Sequence, residues 1–214
     1  LPAGQFIDER HPKDLIVIHH TVGGSARSTF NYWKEQPERI GTAFIVERDG
    51  TVYETFSPDC WAYHLGLKGA DAAGGRHERR SIGIEIASEG GLIERHGELY
   101  CFGVESPRTK FNRNLAEDLG YTWRGFRYFD HYDPAQVEAV IALVDSLLVR
   151  FPSIPRATVR DHRSGPRSPV PGYTDRLSFR GVLGHADLRA DKSDPHPEFP
   201  WFELARRARL EIVP

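Results

Sequence analysis

An α/β fold is predicted for this chain of 214 residues by three stretches of different pattern. Leu15-Ile16-Val17-Ile18-His19-His20 opens with an unbroken apolar, β-branched run, as expected of a central strand covered on both faces. Ser81-Ile82-Gly83-Ile84-Glu85-Ile86-Ala87 alternates, with three isoleucines on one side and Gly83, Glu85 and Ala87 on the other. Over 134–150, Val137, Val140, Ile141, Val144, Leu147 and Leu148 recur at helical spacing and make one apolar stripe. With 39% hydrophobic and 27% charged residues, a single domain spanning 1–214 with a real core is the expectation, with room for insertions.

In chain order, 1–13 is a polar lead-in, and the first strand follows at 15–19. Val22-Gly23-Gly24-Ser25 is a loop, and Ser28 is the expected N-cap of a short helix near 29–36, with Phe30, Trp33 and Tyr32 facing the core. A second strand at 41–46 meets an Asp49-Gly50 hairpin turn and returns as a third at 52–54. The segment 61–66 is short and aromatic, and 69–80, rich in Gly, Ala and charge, reads as a mobile loop. The fourth strand is 81–87. Glu85, flanked on its face by small residues, either looks into a cleft or faces solvent.

Two stretches read as insertions, at about 88–132 and 156–180. In the first, 92–93 and 99–102 suggest a hairpin about Arg95-His96-Gly97, and 108–129 is polar and aromatic without a clear period. It is too long for a plain connector, which points to a lid or functional insertion. Its Trp123, Phe126, Tyr128 and Phe129 form either a wall for a carbohydrate or peptide or a satellite core, the latter being the preferred reading. The helix at 134–150 carries Asp133 as N-cap, Pro134 at its first position and Gln136 to complete a capping box. A terminal helix over 200–210 is expected to turn Phe202, Leu204, Ala205 and Ala208 inward.

Charge narrows the function. Basic and acidic residues number 28 and 30, a net charge of -2, which disfavours a polyanion such as nucleic acid as partner. No apolar run approaches the roughly 20 residues that span a bilayer. The chain starts at Leu1 and contains no Met, the expectation for a processed product or an excised domain, and no signal peptide is visible. Cys60 and Cys101 permit one disulfide, but free buried thiols are the expectation. A monomer is expected.

The chemistry concentrates at Gly181–Trp201, GVLGHADLRADKSDPHPEFPW. A short apolar run ends at His185, and a loop then brings Lys192 and Asp194. A histidine at a strand end with a carboxylate after a short loop suits a metal. In an extended Lys-Ser-Asp, Lys192 and Asp194 point to the same side, which puts a cation where a reacting oxygen gains charge. A catalytic zinc takes three protein ligands and keeps one position open. The third ligand is sought where 15–19 ends. His19 and His20 face opposite ways, so at most one of them serves. Of ten histidines, His162 competes with His185 but lacks a following Lys-x-Asp, and His196 competes with Asp194.

Taken together, IVIHHT, GTAFIVERDGTVYE, WAYHLG, SIGIEIA, FDHYDPAQVEAV and GHADLRADKSDPHPEFPW resemble the zinc-dependent N-acetylmuramoyl-L-alanine amidases. That branch includes phage lytic amidases, bacterial anhydro-muropeptide amidases and peptidoglycan recognition proteins. The order matches from about 15 to 204, and the third ligand being Asp in Lys-x-Asp-Pro, rather than Cys, resembles the muropeptide-amidase side.

The resemblance implies a mixed central sheet flanked by helices and one Zn2+ held by His19, His185 and Asp194. It implies Glu85 as catalytic base and acid, with water on zinc as nucleophile, and Lys192 as stabiliser of the oxyanion. His64 would line the substrate groove, although two residues separate its position from the family's Trp-His spacing. Thr42, counted with the substrate-binding residues, stands where phage members carry a catalytic tyrosine. The implied reaction is hydrolysis of the amide between N-acetylmuramic acid and L-alanine in peptidoglycan or muropeptides. The implied location is periplasm, envelope or secreted, with cytoplasmic recycling the other option. Two other readings are a catalytically silent peptidoglycan-binding module and a structural zinc domain. Intact ligand positions and Glu85 weigh against the first. The absence of a CxxC pattern weighs against the second.

Overall fold

The strand that opens the chain's core is apolar on both sides because both sides are covered. In the computed structural model, which describes residues 1–163, 165–166 and 170–214, β1 (Leu15–His20) is buried at every position. Leu15, Val17 and His19 point one way and Ile16, Ile18 and His20 the other. Ile16 and Ile18 join the larger core under the long helix, while Leu15 and Val17 join a second core with Leu65, Leu183 and Leu188.

The remaining strands, in chain order, are β2 (Phe44–Val46), β3 (Val52–Glu54), β4 (Ser81–Ile86), β5 (Gly91–Arg95), β6 (Glu98–Tyr100), β7 (Lys110–Phe111), β8 (Ala116–Trp123), β9 (Phe126–Asp130), β10 (Ala157–Val159), β11 (Gly181–Gly184) and β12 (Glu211–Val213). The α-helices are α1 (Ala26–Trp33), α2 (Arg76–Arg80), α3 (Pro134–Arg150), α4 (His185–Leu188) and α5 (Trp201–Arg207). Seven strands form the main sheet in the order β12-β10-β11-β1-β4-β2-β3. All its pairings are parallel except β2 with β3, so the sheet is mixed, as expected.

α3 is the element most fully written in sequence. Asp133 and Gln136 form a reciprocal capping box with Pro134 at the start. Gln136 also donates from Nε2 to the Ala87 carbonyl at 2.8 Å, which pins the helix to the end of β4. Val140, Ile141, Val144, Leu147 and Leu148 are all buried, each worth about 1.5–3 kcal/mol against exposure.

Several expectations need correction. The first helix is capped by Ser25, not Ser28, and Tyr32 lies on its exposed side. Residues 69–80 are not a loop throughout: a 3-10 turn at Gly69–Gly75 leads into α2, where His77 and Glu78 are buried. The first insertion is a second, antiparallel sheet ordered β7-β6-β5-β9-β8. Its β5–β6 hairpin was legible, but β8 alternates weakly because most of its residues are exposed. Trp123, Phe126 and Phe129 pack with Ala186, the satellite-core arrangement. The second insertion hides β10, whose three residues lie among Pro and Arg yet sit inside the main sheet. After α5 the chain adds β12, and Phe202 faces solvent. Cys60 and Cys101 are both buried and unpaired.

Candidate metal centre

The parallel register places the site. β1 lies between β11 and β4, with Ile18 opposite Gly184 and His19 opposite Glu85. His185 begins directly after β11, so two histidines and a glutamate meet where three neighbouring strands run out. Residues in register on adjacent strands share a face, which puts Glu85 beside His19.

Asp194 is brought in by the loop after α4. The Ala186 amide donates to the Asp194 carbonyl at 2.7 Å, folding that loop onto the helix. A helix of four residues cannot persist alone. α4 is held by Asp187, which is buried, ion-paired with the equally buried Arg176, and accepts from the Gly184 amide at 2.8 Å. His162, the histidine set aside in sequence, lies 2.6 Å from Asp187 through Nδ1 and stacks on Trp201. It braces the site from behind.

The donor atoms converge. His19 Nδ1 lies 3.0 Å from His185 Nδ1, His185 Nδ1 lies 2.9 Å from Asp194 Oδ2, and His19 Nδ1 lies 3.3 Å from Asp194 Oδ2. All three residues are buried, and among the described residues they are the one group of His, Cys, Asp and Glu arranged to hold a metal ion. Donor atoms about 2.0–2.1 Å from a tetrahedral zinc stand about 3.3 Å apart, so the set fits such an ion. Two imidazoles and one carboxylate leave a fourth position open.

Electrostatics agree with a ligand set. Burial, then the neighbouring His185, pushes His19 down to about 4, so its ring is neutral at pH 7. Burial works against the Asp194 carboxylate, but the charge and hydrogen bond of His185, with a further bond from His19, hold it well below the usual carboxylate range. A neutral His19 ring and an ionised Asp194 carboxylate are forms that bind zinc. Glu85 goes the other way: burial, then the Asp194 charge, pushes its carboxyl well above its ordinary value, and Lys192 opposes the shift. Glu85 keeps a partly exposed edge, while its Oε2 is buried without a hydrogen-bond partner.

The other expected positions divide. His20, as anticipated, faces away, with Nδ1 3.0 Å from the Tyr132 hydroxyl. His196 stacks between Tyr132 and Phe129 and takes no place in the cluster. Lys192 stands near enough for its charge to act on both His19 and Glu85. His64 is brought directly to the cluster, its Nδ1 2.9 Å from His19 Nε2. Thr42 is deeply placed: it is 1% exposed, donates to the Phe44 carbonyl and lines a small cavity with His64 and Gly83. Its methyl stacks where Gly83 has no side chain, since a Cβ there would meet it at 2.5 Å. Ser81 and the Leu65 carbonyl, which also bond the histidines, carry no sequence signal. A lone serine at a strand start and a backbone oxygen look the same in any protein.

Fold and site together define an α/β protein with a buried His-His-Asp group, able to hold a metal ion, at the carboxyl ends of parallel strands. The sequence profile of the N-acetylmuramoyl-L-alanine amidase family (Amidase_2) matches residues 9–197, and the chain belongs to that family. It is 27% identical over 84 residues to the amidase AmiD of Escherichia coli K12, a match covering 39% of this chain and 22% of that protein's length. Among solved structures, the E. coli AmiD complex with anhydro-N-acetylmuramic acid-L-Ala-D-gamma-Glu-L-Lys matches with a TM-score of 0.57 and 20% identity, over 94% of this chain and 59% of that one. AmpDh3 of Pseudomonas aeruginosa matches with a TM-score of 0.55 and 17% identity, over 95% and 62%. The amidase LysC of Clostridium intestinale matches with a TM-score of 0.52 and 16% identity, over 96% and 93%. At these identities the solved structures speak for the fold. Among the described residues no helix is long and apolar enough to cross a membrane.

Proposed function

We propose that this chain hydrolyses the amide bond between N-acetylmuramic acid and L-alanine in peptidoglycan or muropeptides, with one zinc ion held by His19, His185 and Asp194. The observation that carries this reading is the convergence of those three donors beside Glu85, in a chain of the amidase family. When bound, zinc supplies a Lewis acid that lowers the pKa of water toward neutrality and polarises a carbonyl.

The remaining work falls to the chain. Glu85, in register with His19 and desolvated, has the raised basicity of a group that takes a proton from the attacking water and returns it to the leaving amine. Lys192, whose charge acts on Glu85, would stabilise the tetrahedral oxyanion. His64, whose Nδ1 lies 2.9 Å from His19 Nε2, would line the substrate groove beside the cluster. A muropeptide substrate is favoured by the carboxylate third ligand in its Lys-Ser-Asp-Pro loop. A site exposed to cell-wall material, in periplasm, envelope or medium, follows from that substrate.

The test uses defined muropeptides and mass analysis of products, with and without a chelator. Release of free stem peptide by the metal-loaded protein, lost with chelation and restored by zinc, is the expected result. Intact muropeptide under all conditions, with stoichiometric zinc bound, would leave a binding module in place of an enzyme.

A further inference from the structure

The two insertions meet on the loop that carries Lys192 and Asp194, and the meeting point is one side chain. Arg124 sits at the tip of the β8–β9 hairpin, where Trp123 pairs with Phe126 across a loop of two residues. Both loop residues have left-handed backbone, with φ 52° at Arg124 and 90° at Gly125, as in a type I′ turn. Such a turn favours Asn, Asp or Gly at its first position, so a long side chain there stands against the backbone preference. Strain of this kind persists where the surroundings hold the residue for another purpose.

The Arg124 guanidinium reaches from the hairpin to the metal loop. Nη1 donates to the Ala190 carbonyl, and Nη2 lies 3.5 Å from the Ala186 carbonyl. Its Cζ stands 5.5 Å from the ring centre of Trp123, which is buried with Phe129 and Ala186. From the second insertion, Gly165 comes over the same group. A Cβ there would lie 2.6 Å from Arg124 Nη2, so a side chain at 165 would push against the guanidinium.

The two carbonyls are well placed to govern the loop. Ala186 lies in α4, and its amide donates to the Asp194 carbonyl at 2.7 Å. Ala190 stands just beyond α4, two residues before Lys192. The loop has one brace of its own: Arg189 donates from Nη1 to the Leu65 carbonyl, at 3.2 Å, and to the Gly66 carbonyl. Arg189 ties the loop to the 65–66 segment, and Arg124 ties it to the insertions. The planar fork of an arginine suits a task that spans two carbonyls.

We propose that Arg124 is a positioning residue which, through the Ala186 and Ala190 carbonyls, locks the insertions onto the 186–194 loop and so fixes where Lys192 stands beside the cluster. The inference rests on the amidase reading above for its kinetic consequence, and on geometry for the anchoring.

Arg124→Gly is the test, because glycine suits the turn and only the side chain is lost. Hydrogen exchange is measured first, on the metal-free protein. The bonded amides of Ala186, Arg189 and Lys192 are expected to exchange about 10–100-fold faster than in wild type, the range for loss of a charge-assisted hydrogen bond. Amides of β9 and the main sheet should keep their protection. With zinc and a defined muropeptide, kcat is expected to fall about 10-fold with KM little changed, since Lys192 acts on charge that develops in the transition state. Arg124→Lys, with a single ammonium in place of the fork, should fall between glycine and wild type in both readouts. Arg127→Ala, on the same hairpin but paired at the surface with Asp118, should leave both unchanged.

Wild-type exchange at 186–194 in Arg124→Gly overturns the proposal. Faster exchange spread evenly over the molecule, or failure of Arg124→Gly to fold, overturns it too, because the guanidinium would then support the fold at large. Fast local exchange with wild-type kcat also overturns it, since the loop would be anchored without bearing on Lys192. The exchange arm uses neither zinc nor muropeptide. A wild-type protein without turnover would therefore remove the amidase reading, while local fast exchange in Arg124→Gly would still uphold the anchoring.

Discussion

His19 and His20 leave the same strand on opposite sides, and nearly everything else about them is alike. Both are buried, at 2% and 4% exposure, and burial lowers the pKa of each. On one side, His19 meets a second imidazole, a carboxylate and a glutamate in register. On the other, His20 meets a single phenol: the Tyr132 hydroxyl lies 3.0 Å from its Nδ1 and accepts from the His196 amide at 3.2 Å. That link ties β1 to the loop just beyond Asp194. A buried, neutral histidine is thus not yet a ligand. Convergence of donors makes it a candidate, and the face of the strand decides which neighbours are available.

If the comparison is sound, changes on the His19 face should alter chemistry, and changes on the His20 face should alter stability. The largest expected effect is that of His19→Ala. It should abolish stoichiometric zinc and lower kcat/KM by more than about 10³-fold, the share of the barrier that metal charge supplies. Metal analysis and muropeptide turnover check this, and retention of full zinc would break the assignment.

Glu85→Gln should follow, with zinc content unaltered and kcat lower by about 10²–10⁴-fold, the range for loss of a proton-transfer group. Turnover equal to wild type at full zinc would remove Glu85 from the mechanism. His20→Ala makes the contrast sharp. It should keep zinc and turnover near wild type and cost about 1–3 kcal/mol in denaturant unfolding, because the buried Tyr132 hydroxyl loses its hydrogen-bond partner on β1. A zinc defect as deep as that of His19→Ala would collapse the distinction between the two faces.

The smallest effect lies on the second sheet, remote from both. Arg127, then the Gly120 amide, holds the exposed Asp118 carboxyl down to about 2. Since its folded pKa lies below the unfolded 3.8, the unfolded chain binds more protons between them. The stabilisation is complete above about pH 4 and fades as pH falls toward 2. Asp118→Asn should slightly flatten the acid limb of the melting curve and leave zinc binding alone. A shift of the same size at neutral and acid pH would point to hairpin packing instead.

The three elements with long-range periodicity were legible in the residues, because a covered strand and an amphipathic helix declare their burial locally. β10 and β12 were not, being three residues each and set among breakers, and the sheet rather than their composition makes them strands. The three converging donors were legible as strand ends followed by a Lys-Ser-Asp loop. The depth of Thr42 was not legible, because chain position says nothing of depth: packing against Gly83 goes with its burial.

By itself the sequence settled the apolar strands, the capped helix, and the residue types able to hold and serve a metal, since each is a matter of local pattern and side-chain chemistry. Tertiary structure decided that Nδ1 of two histidines 166 positions apart stands 3.0 Å from its counterpart, and that Glu85 lies beside one of them in register. It also decided that His64 turns its ring toward His19 and Ser81. Hydrogen bonds and metal–ligand bonds act over about 2–3 Å, and no spacing along a chain encodes a distance that short across a sheet.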